Sequence, residues 1–338
     1  MAYISFQPKD YFNTKLYTGN GSTNAITGVG FQPDWVWIKH RGDTHDHNAY
    51  DAVRGVTKMI TPNENYAEST VAASLTSFDS DGFTLGNVAR SNASGGSLVS
   101  WNWRASNATA VSNTDGSITS TVSANTTSGF SIVKWNGQTG TVGHGLGAKP
   151  AFIVVKCLGI PNSWVGTHQG LGTNMNDNYI ILNSNGAGGS TNWGGEPTSS
   201  VFYINSNVAE NNDNIAYCFA EKTGFSKFSS YQGNSSTDGT FVYTGFKPAF
   251  LIQKRSDTTA NWNLFDNKRS TAGGSNVIDD LFYVDANNAE VSHTSVDFLS
   301  NGFKFRTSDG ALNTGANIYM AFAEEPLVSS NGVPNTAR

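Results

Sequence analysis

Gly30-Phe-Gln-Pro33-Asp-Trp35-Val-Trp37-Ile-Lys39 decides the fold, because it returns as Gly147-Ala-Lys-Pro150-Ala-Phe-Ile-Val-Val-Lys156 and as Gly245-Phe-Lys-Pro248-Ala-Phe-Leu-Ile-Gln-Lys254. Each run is too short for a helix and rich in β-branched and aromatic residues, so it reads as a buried strand. Proline at its entry suits a first strand residue, where a missing N–H costs least. A second motif follows each run: Val99-Ser-Trp101-Asn-Trp103-Arg-Ala105, Ile215-Ala-Tyr217-Cys-Phe219-Ala-Glu221 and Ile318-Tyr-Met320-Ala-Phe322-Ala-Glu324. From Pro33 to Trp103, Pro150 to Phe219 and Pro248 to Phe322 the intervals are 70, 69 and 74 residues. Near-equal spacing of matched motifs is the signature of an internal repeat.

Weaker anchors fit the same frame. Asp81-Gly82-Phe83 and Asn301-Gly302-Phe303 read as hairpin turns, with Val201 to Ile204 between them in the chain. Lys15 to Gly19, Val133 to Gly137 and Phe228 to Gly233 precede the three prolines. Counting such runs gives about six to eight strands per unit of roughly 100 residues, the size of a sandwich. The expected fold is all-β, with three tandem antiparallel β-sandwich repeats of jelly-roll or lectin-like type. The expected boundaries are an N-terminal attachment arm (1–14), repeat 1 (15–105), a Ser/Thr/Asn-rich connector or edge hairpin (106–127), repeat 2 (128–222), repeat 3 (223–325) and a polar tail (326–338).

Composition excludes several classes. With 12% aromatics the chain is no disordered polar polymer, and 21 basic against 26 acidic residues give no cationic surplus for nucleic acid. Only 14% of residues are charged, whereas 36 glycines sit among abundant Ser, Thr and Asn, which favour tight turns. No run of 18 apolar residues is present to insert in a membrane, and the first residues lack the basic and apolar regions of a signal peptide. Two cysteines, Cys157 and Cys218, are too few for a disulfide framework. Synthesis in a reducing cytoplasm is the expectation.

Phe12-Asn-Thr-Lys-Leu-Tyr-Thr-Gly-Asn-Gly21, the Gly30 to Lys39 run, Ser77-Phe-Asp-Ser-Asp-Gly-Phe-Thr-Leu-Gly86 and the stretch from Gly224-Phe-Ser-Lys-Phe228 through Glu324 resemble a repeated domain of tail-fibre-like and other virion proteins of tailed, notably marine, phages. The resemblance covers nearly the entire chain and brings no catalytic motif with it. It implies a virion location, assembly in the host cytoplasm, and a role in gripping a host surface or building the particle. It also implies a homo-oligomer, a trimer being favoured among fibres.

Candidate sites are few, and each has a plain structural reading. Arg41, Asp43, His45 and His47 crowd one loop, where His45, His47 and Asp43 offer metal-ligand types; a solvated loop is the simpler reading. Asp79 and Asp81 resemble the opening of a calcium loop, but no bidentate Glu follows at the required spacing. Asp51 with Arg54, and Asp266 with Arg269, recur in copies 1 and 3, while His168 replaces the acid in copy 2; such pairs bind a sugar or carboxylate, or hold a turn. Lys39, Lys156 and Lys254 read as stems covering apolar surface at strand ends. Trp193, in a Gly-rich loop, is the candidate exposed ring for stacking on a sugar, or else a side chain tucked back onto its own unit. The two cysteines read as free thiols, with Cys218 inside. No cofactor is implied.

The reading that follows is a non-enzymatic rod of three sandwiches, attached by its N-terminal arm to other tail or capsid proteins and presenting loops to host-surface polysaccharide. A capsid-decoration, head-fibre or tail-scaffold role is the alternative. A polysaccharide depolymerase is a third, against which the missing carboxylate pairs weigh.

Overall fold

The computed structural model describes residues 6–270 and 276–326, with side chains through Ala323. Strand makes up 47% of the structure and helix 2%, in several antiparallel sheets. Among the described residues the helical pieces are Ala89–Asn92 and the 3-10 turn Pro8–Asp10. Turn-forming glycines and β-branched runs leave no length for more.

Twelve strands carry the architecture. In chain order they are β1 (Phe12–Thr18), β2 (Trp35–His40), β3 (Asn48–Asp51), β4 (Ser97–Trp103), β5 (Phe130–Asn136), β6 (Phe152–Cys157), β7 (Val165–His168), β8 (Asp213–Phe219), β9 (Ser226–Asn234), β10 (Phe246–Arg255), β11 (Trp262–Asp266) and β12 (Thr314–Pro326). They pair in the orders β1-β4-β2-β3, β5-β8-β6-β7 and β9-β12-β10-β11, so each segment places its last strand between its first and second. Every pairing is antiparallel. The registers match as well: Trp35 sits opposite Trp103, Phe152 opposite Phe219 and Phe250 opposite Phe322. Pro248 lies inside β10 at a register irregularity, a place where a strand tolerates the missing donor.

The Ser/Thr/Asn-rich stretch after β4 takes the edge-hairpin form. Val111–Asn113 and Ser120–Asn125 pair with each other and then onto β5. The third sheet runs on through Val277–Tyr283, Val291–Leu299 and Gly302–Phe305 to Phe241–Tyr243, the strand next after β9 in the chain. Its two edge strands are thus only residues 235–240 apart, and Thr240 Oγ1 donates to Gln232 O at 2.9 Å, so this sheet curls nearly into a barrel. Both expected hairpins form: Leu75–Asp79 pairs with Gly82–Leu85, and Val291–Leu299 with Gly302–Phe305. Gly82 has φ +148°, and a Cβ there would lie 1.9 Å from Ile26 O, so only glycine closes this turn against its neighbour.

Each main sheet buries both faces. Val36 and Ile38 join a local core with Phe83 and Leu85; Ile153 and Val155 join another with Phe202; Leu251 joins a third with Phe303 and Phe305. The alternate residues point the other way into one shared core, built from Phe12, Trp35, Trp37, Trp101 and Trp103, from Phe130, Phe152, Tyr217 and Phe219, and from Phe228, Phe250, Met320 and Phe322. Trp35 stacks on Tyr217 at 4.4 Å between ring centroids, Phe12 stacks on Phe322 at 5.1 Å, and Phe219 meets Phe322 edge-on at 5.9 Å. Three aromatic faces therefore converge. This corrects the expected rod, in which the outer faces of these sheets would meet water. The expected attachment arm is also partly built in: Phe6 and Tyr11 pack on Phe225, and Pro8 is buried. Tail residues 327–338 lie outside the described residues.

Candidate functional site

The Asp-x-x-Arg pairs do not face a ligand; they face the next segment. At the end of β3, Asp51 Oδ1 accepts from Val53 N and Arg54 N at 3.1 and 2.9 Å, which fixes the turn. Its other oxygen accepts from Arg54 and, at 2.7 Å, from the Tyr217 hydroxyl of the second segment. Arg54 goes on to Glu68 at 3.1 Å. At the end of β11 the same figure recurs: Asp266 Oδ1 accepts from Lys268 N and Arg269 N, both at 3.0 Å. Asp266 Oδ2 accepts from Arg269 Nε at 2.6 Å and from Trp101 Nε1 of the first segment at 2.9 Å. Arg269 reaches Glu290 at 2.9 Å and lies over the Phe282 ring at 4.5 Å. Glu290 also takes a forked pair of bonds from Arg41 Nε, both at 3.0 Å.

The second segment departs at three positions together. His168, Leu171 and Gly188 stand where the others have the acid, the arginine and the glutamate. The residue facing them is Met320, which has no hydrogen to donate, in place of Trp101 or Tyr217. His168 Nε2 instead meets the Tyr319 carbonyl at 3.0 Å, and burial holds its pKa down near 4, so it acts as the neutral donor.

The three strand-end lysines form a second set of joints. Lys39, Lys156 and Lys254 are wholly buried, ammonium groups as well as the stems that the sequence reading assigned to covering apolar surface. Each ammonium donates to a carbonyl of another segment: Lys39 to Asn287 O at 3.3 Å, Lys156 to Asn65 O at 3.1 Å and Lys254 to Asn185 O at 3.4 Å. Local carbonyls of His40, Asn162 and Arg255 complete each set. Burial lowers all three lysine pKa values to about 8.

One ring at each junction repeats the direction. His47 Nε2 lies 3.0 Å from Tyr283 O, Trp164 Nε1 donates to Thr61 O at 3.0 Å, and Trp262 Nε1 donates to Ile181 O at 3.0 Å. Backbone bonds run alongside from Glu290 N to Arg41 O, Glu68 N to Leu158 O and Gly188 N to Ser256 O. First meets third, second meets first and third meets second, so the contacts close on themselves.

The remaining candidates are dispersed. His47 is buried, accepts from Trp37 Nε1 at 2.9 Å, and has its pKa pushed down to about 3 by burial, so the expected solvated loop is drawn inward there. His45 stays near the surface, 3.9 Å from Asp43. Both nitrogens of His47 are engaged, and no group of three metal-ligating side chains is assembled among the described residues. Asp81 accepts from Gly28 N and Gly30 N at 2.9 and 2.7 Å, which hold its carboxyl below the usual range. Cys157 and Cys218 are free and buried. Trp193 is 2% exposed, its indole N–H donating to Asn178 O at 3.0 Å; an outward-facing ring is not what this loop makes.

Sequence reasoning missed the aromatic pair that is exposed. Phe241 and Tyr243 alternate on one edge strand with buried Val242 and are 43% and 57% exposed. Pairing places them at the positions of Ala25 and Thr27 in the first segment and Thr141 and Gly143 in the second. That contrast between copies was the available signal. Lys304 sits opposite Phe241 and pairs with Asp238 at 2.7 Å. Two carboxyls went unremarked as well: burial raises Asp34 and Asp285 to about 6, yet each binds backbone N–H groups, Ala105 at 2.7 Å and Trp262 at 2.8 Å.

A family profile described as a domain of unknown function, DUF7483, matches residues 7–326. Among the curated proteins no match to the chain is found, and none is found among the solved structures. Among the described residues no helix is long and apolar enough to cross a membrane.

Proposed function

We propose, for a chain that belongs to the DUF7483 family along nearly its whole length, a structural role in the virion of a tailed phage, as a tail-fibre or tail-appendage component that holds a host-surface glycan. In this reading the chain is three tandem β-sandwiches bound into a ring, and the trimer expected of separate chains is supplied within one. The observation that carries it is where the polar clusters go. Asp51, Arg54, Asp266, Arg269 and the three lysines, the groups with most chemical potential, are spent on joining segments to each other. A buried, fully bonded network rigidifies a body and leaves its outer loops to do the binding.

Glycan contact then falls to Phe241 and Tyr243 rather than to Trp193. Two rings on one strand face stand about 7 Å apart, a spacing at which both can lie along a chain of sugars. Their apolar faces would stack while Lys304 and Asp238 supply polar contact. Quantitative mass spectrometry of purified particles tests the location, with a fixed copy number per particle expected. Absence from the particle would overturn it. Binding of the isolated protein to host cells, lost in Phe241→Ala/Tyr243→Ala with thermal stability unchanged, tests the contact surface; equal binding by that variant would remove the aromatic pair from the account.

A further inference from the structure

We infer that the mouth of the near-barrel in the third segment is a binding cleft for adjacent hydroxyl groups, those of a sugar ring or an open polyol. The cleft measures about 70 Å³, and its polar lining is Asn261, Asn263, Tyr283, His293 and Asp309. A single water needs roughly 10–15 Å³ on the same measure, so a ligand enters by one edge, with a pair of hydroxyls. Barrel mouths are among the places where small-molecule sites form.

Three features build this mouth, and the first is a pair of amides. Gln253 and Asn263 stand opposite each other on the face of β10 and β11 that carries Leu251 and Phe265 into the local core. The equivalent pairs, one residue before the strand-end lysine, are Ile38 with Asn48 and Val155 with Val165. Two valines suffice for packing in the second segment, so packing does not account for the amides of the third. Gln253 Oε1 accepts from Asn263 Nδ2 at 2.9 Å, and Gln253 Nε2 donates to Ala311 O at 2.9 Å, which ties one wall of the cleft to the other. Asn263 Nδ2 also donates to Asn261 O at 3.1 Å, so both its hydrogens are engaged and its oxygen is left to accept.

The second feature is a bulge. Ile278 pairs with Val296 and Asp280 with Ser292, so Asp279 stands against three residues, His293, Thr294 and Ser295. Bulges re-aim side chains. This one sets His293 in the wall of the cleft, with its ring Nδ1 buried and without a hydrogen-bond partner. A buried polar atom left unpaired costs free energy that a hydroxyl reaching it recovers. The third feature is the loop 307–312, where Asp309 Oδ1 accepts from Ala311 N at 2.7 Å and Asp309 O from Asn313 N at 2.9 Å. The carboxylate is thus held in place before a ligand arrives. Burial, and then the carboxylates of Asp309 and Asp285, raise the Tyr283 pKa and keep its hydroxyl a donor.

Carboxylate and amide oxygens call for donors, and no lysine or arginine is among the described lining residues, so an anion finds no countercharge. Leu281 and Leu312 add apolar surface for the C–H face of the ligand. The inference goes beyond the surface contact proposed for Phe241 and Tyr243 and depends neither on it nor on the virion reading.

Titration calorimetry on the full chain tests it with glucose, galactose, mannose, sorbitol, glucuronate and ethanolamine as probes. The best of the three neutral sugars should bind at least tenfold more tightly than glucuronate or ethanolamine. Sorbitol binding equally well assigns the cleft to polyols in general, and sorbitol binding more weakly assigns it to a ring. His293→Leu should weaken the sugar at least tenfold while leaving the melting temperature equal or higher, because the unpaired nitrogen goes with the ring. Asp309→Asn, which keeps an oxygen for Ala311 N, should weaken it at least threefold. Phe241→Ala/Tyr243→Ala should leave it within about twofold, so the cleft and the surface contact can fail separately. No binding by any neutral sugar, ethanolamine binding as tightly as the sugar, or His293→Leu binding like the parent protein would overturn the inference.

Discussion

Replacing Arg269 with leucine tests the account of the junctions, because the protein already contains a junction without that arginine. Arg269 and Asp266 are buried together, with side chains 0% exposed. Removing the cation leaves Asp266 bonded to Trp101 Nε1 and to backbone N–H groups but without a countercharge. Breaking a buried pair on one side costs about 3–5 kcal/mol. Glu290 keeps Arg41, so the damage centres on Asp266. Asp266→His alone takes from Arg269 its fully buried carboxylate, leaving it only Glu290, and should cost on the order of 3 kcal/mol. The double variant Asp266→His/Arg269→Leu reproduces the His168 and Leu171 of the second segment and leaves no unpaired charge at neutral pH. It should be more stable than the summed single costs imply, with a coupling of about 2–3 kcal/mol. Urea unfolding followed by tryptophan fluorescence gives these values from midpoints at constant slope. Costs that add to within about 0.5 kcal/mol, or an Arg269→Leu cost below about 1 kcal/mol, would refute the reasoning.

The buried bases set the pH dependence. His47, His144 and His168 are held near 3, 4 and 4, so they stay neutral in the fold while the unfolded chain takes up protons below about 6.5. Stability should therefore fall as pH drops from 6.5 towards 4, opposed only in part by Asp34 and Asp285, which keep their protons in the fold up to about 6. Lysines lowered from 10.5 to about 8 bind fewer protons folded than unfolded, so stability should rise between pH 8 and 10.5, and Lys156→Met should lessen that rise; urea midpoints across pH measure both slopes. Trp193→Ala should cost about 3–5 kcal/mol through the cavity it leaves, visible as a lowered urea midpoint, whereas alanine at Phe241 should cost under about 0.5 kcal/mol.

The all-β class and the recurrence of the strands were legible in the spacing of the prolines and the Trp103, Phe219 and Phe322 motifs, because turn chemistry and apolar runs are local properties; the order in which the strands pair was not. The convergence of the three sheets also left a trace, which the rod reading passed over. In Trp35-Val-Trp-Ile38 neighbouring residues are all apolar, and a strand with one wet face would alternate with polar ones. Phe152 to Val155 says the same. The junctions themselves were opaque. Thr61, Ile181 and Tyr283 accept through backbone oxygen, which any residue carries, so their identities announce nothing. Trp193 left two readings open, a projecting ring or one tucked back, and the second holds: the glycines beside it let the chain lie close against Tyr203.

Sharing one aromatic centre among residues as distant as Phe12 and Phe322 has a consequence for synthesis. A nascent chain released from the ribosome up to β8 has two walls of that centre and no third, so Phe12, Trp103 and Phe219 lack their contacts with Phe322 until β12 emerges. Emergence of β12 is the event that seals the molecule, and a product truncated before it would be a substrate for chaperones rather than a smaller working protein.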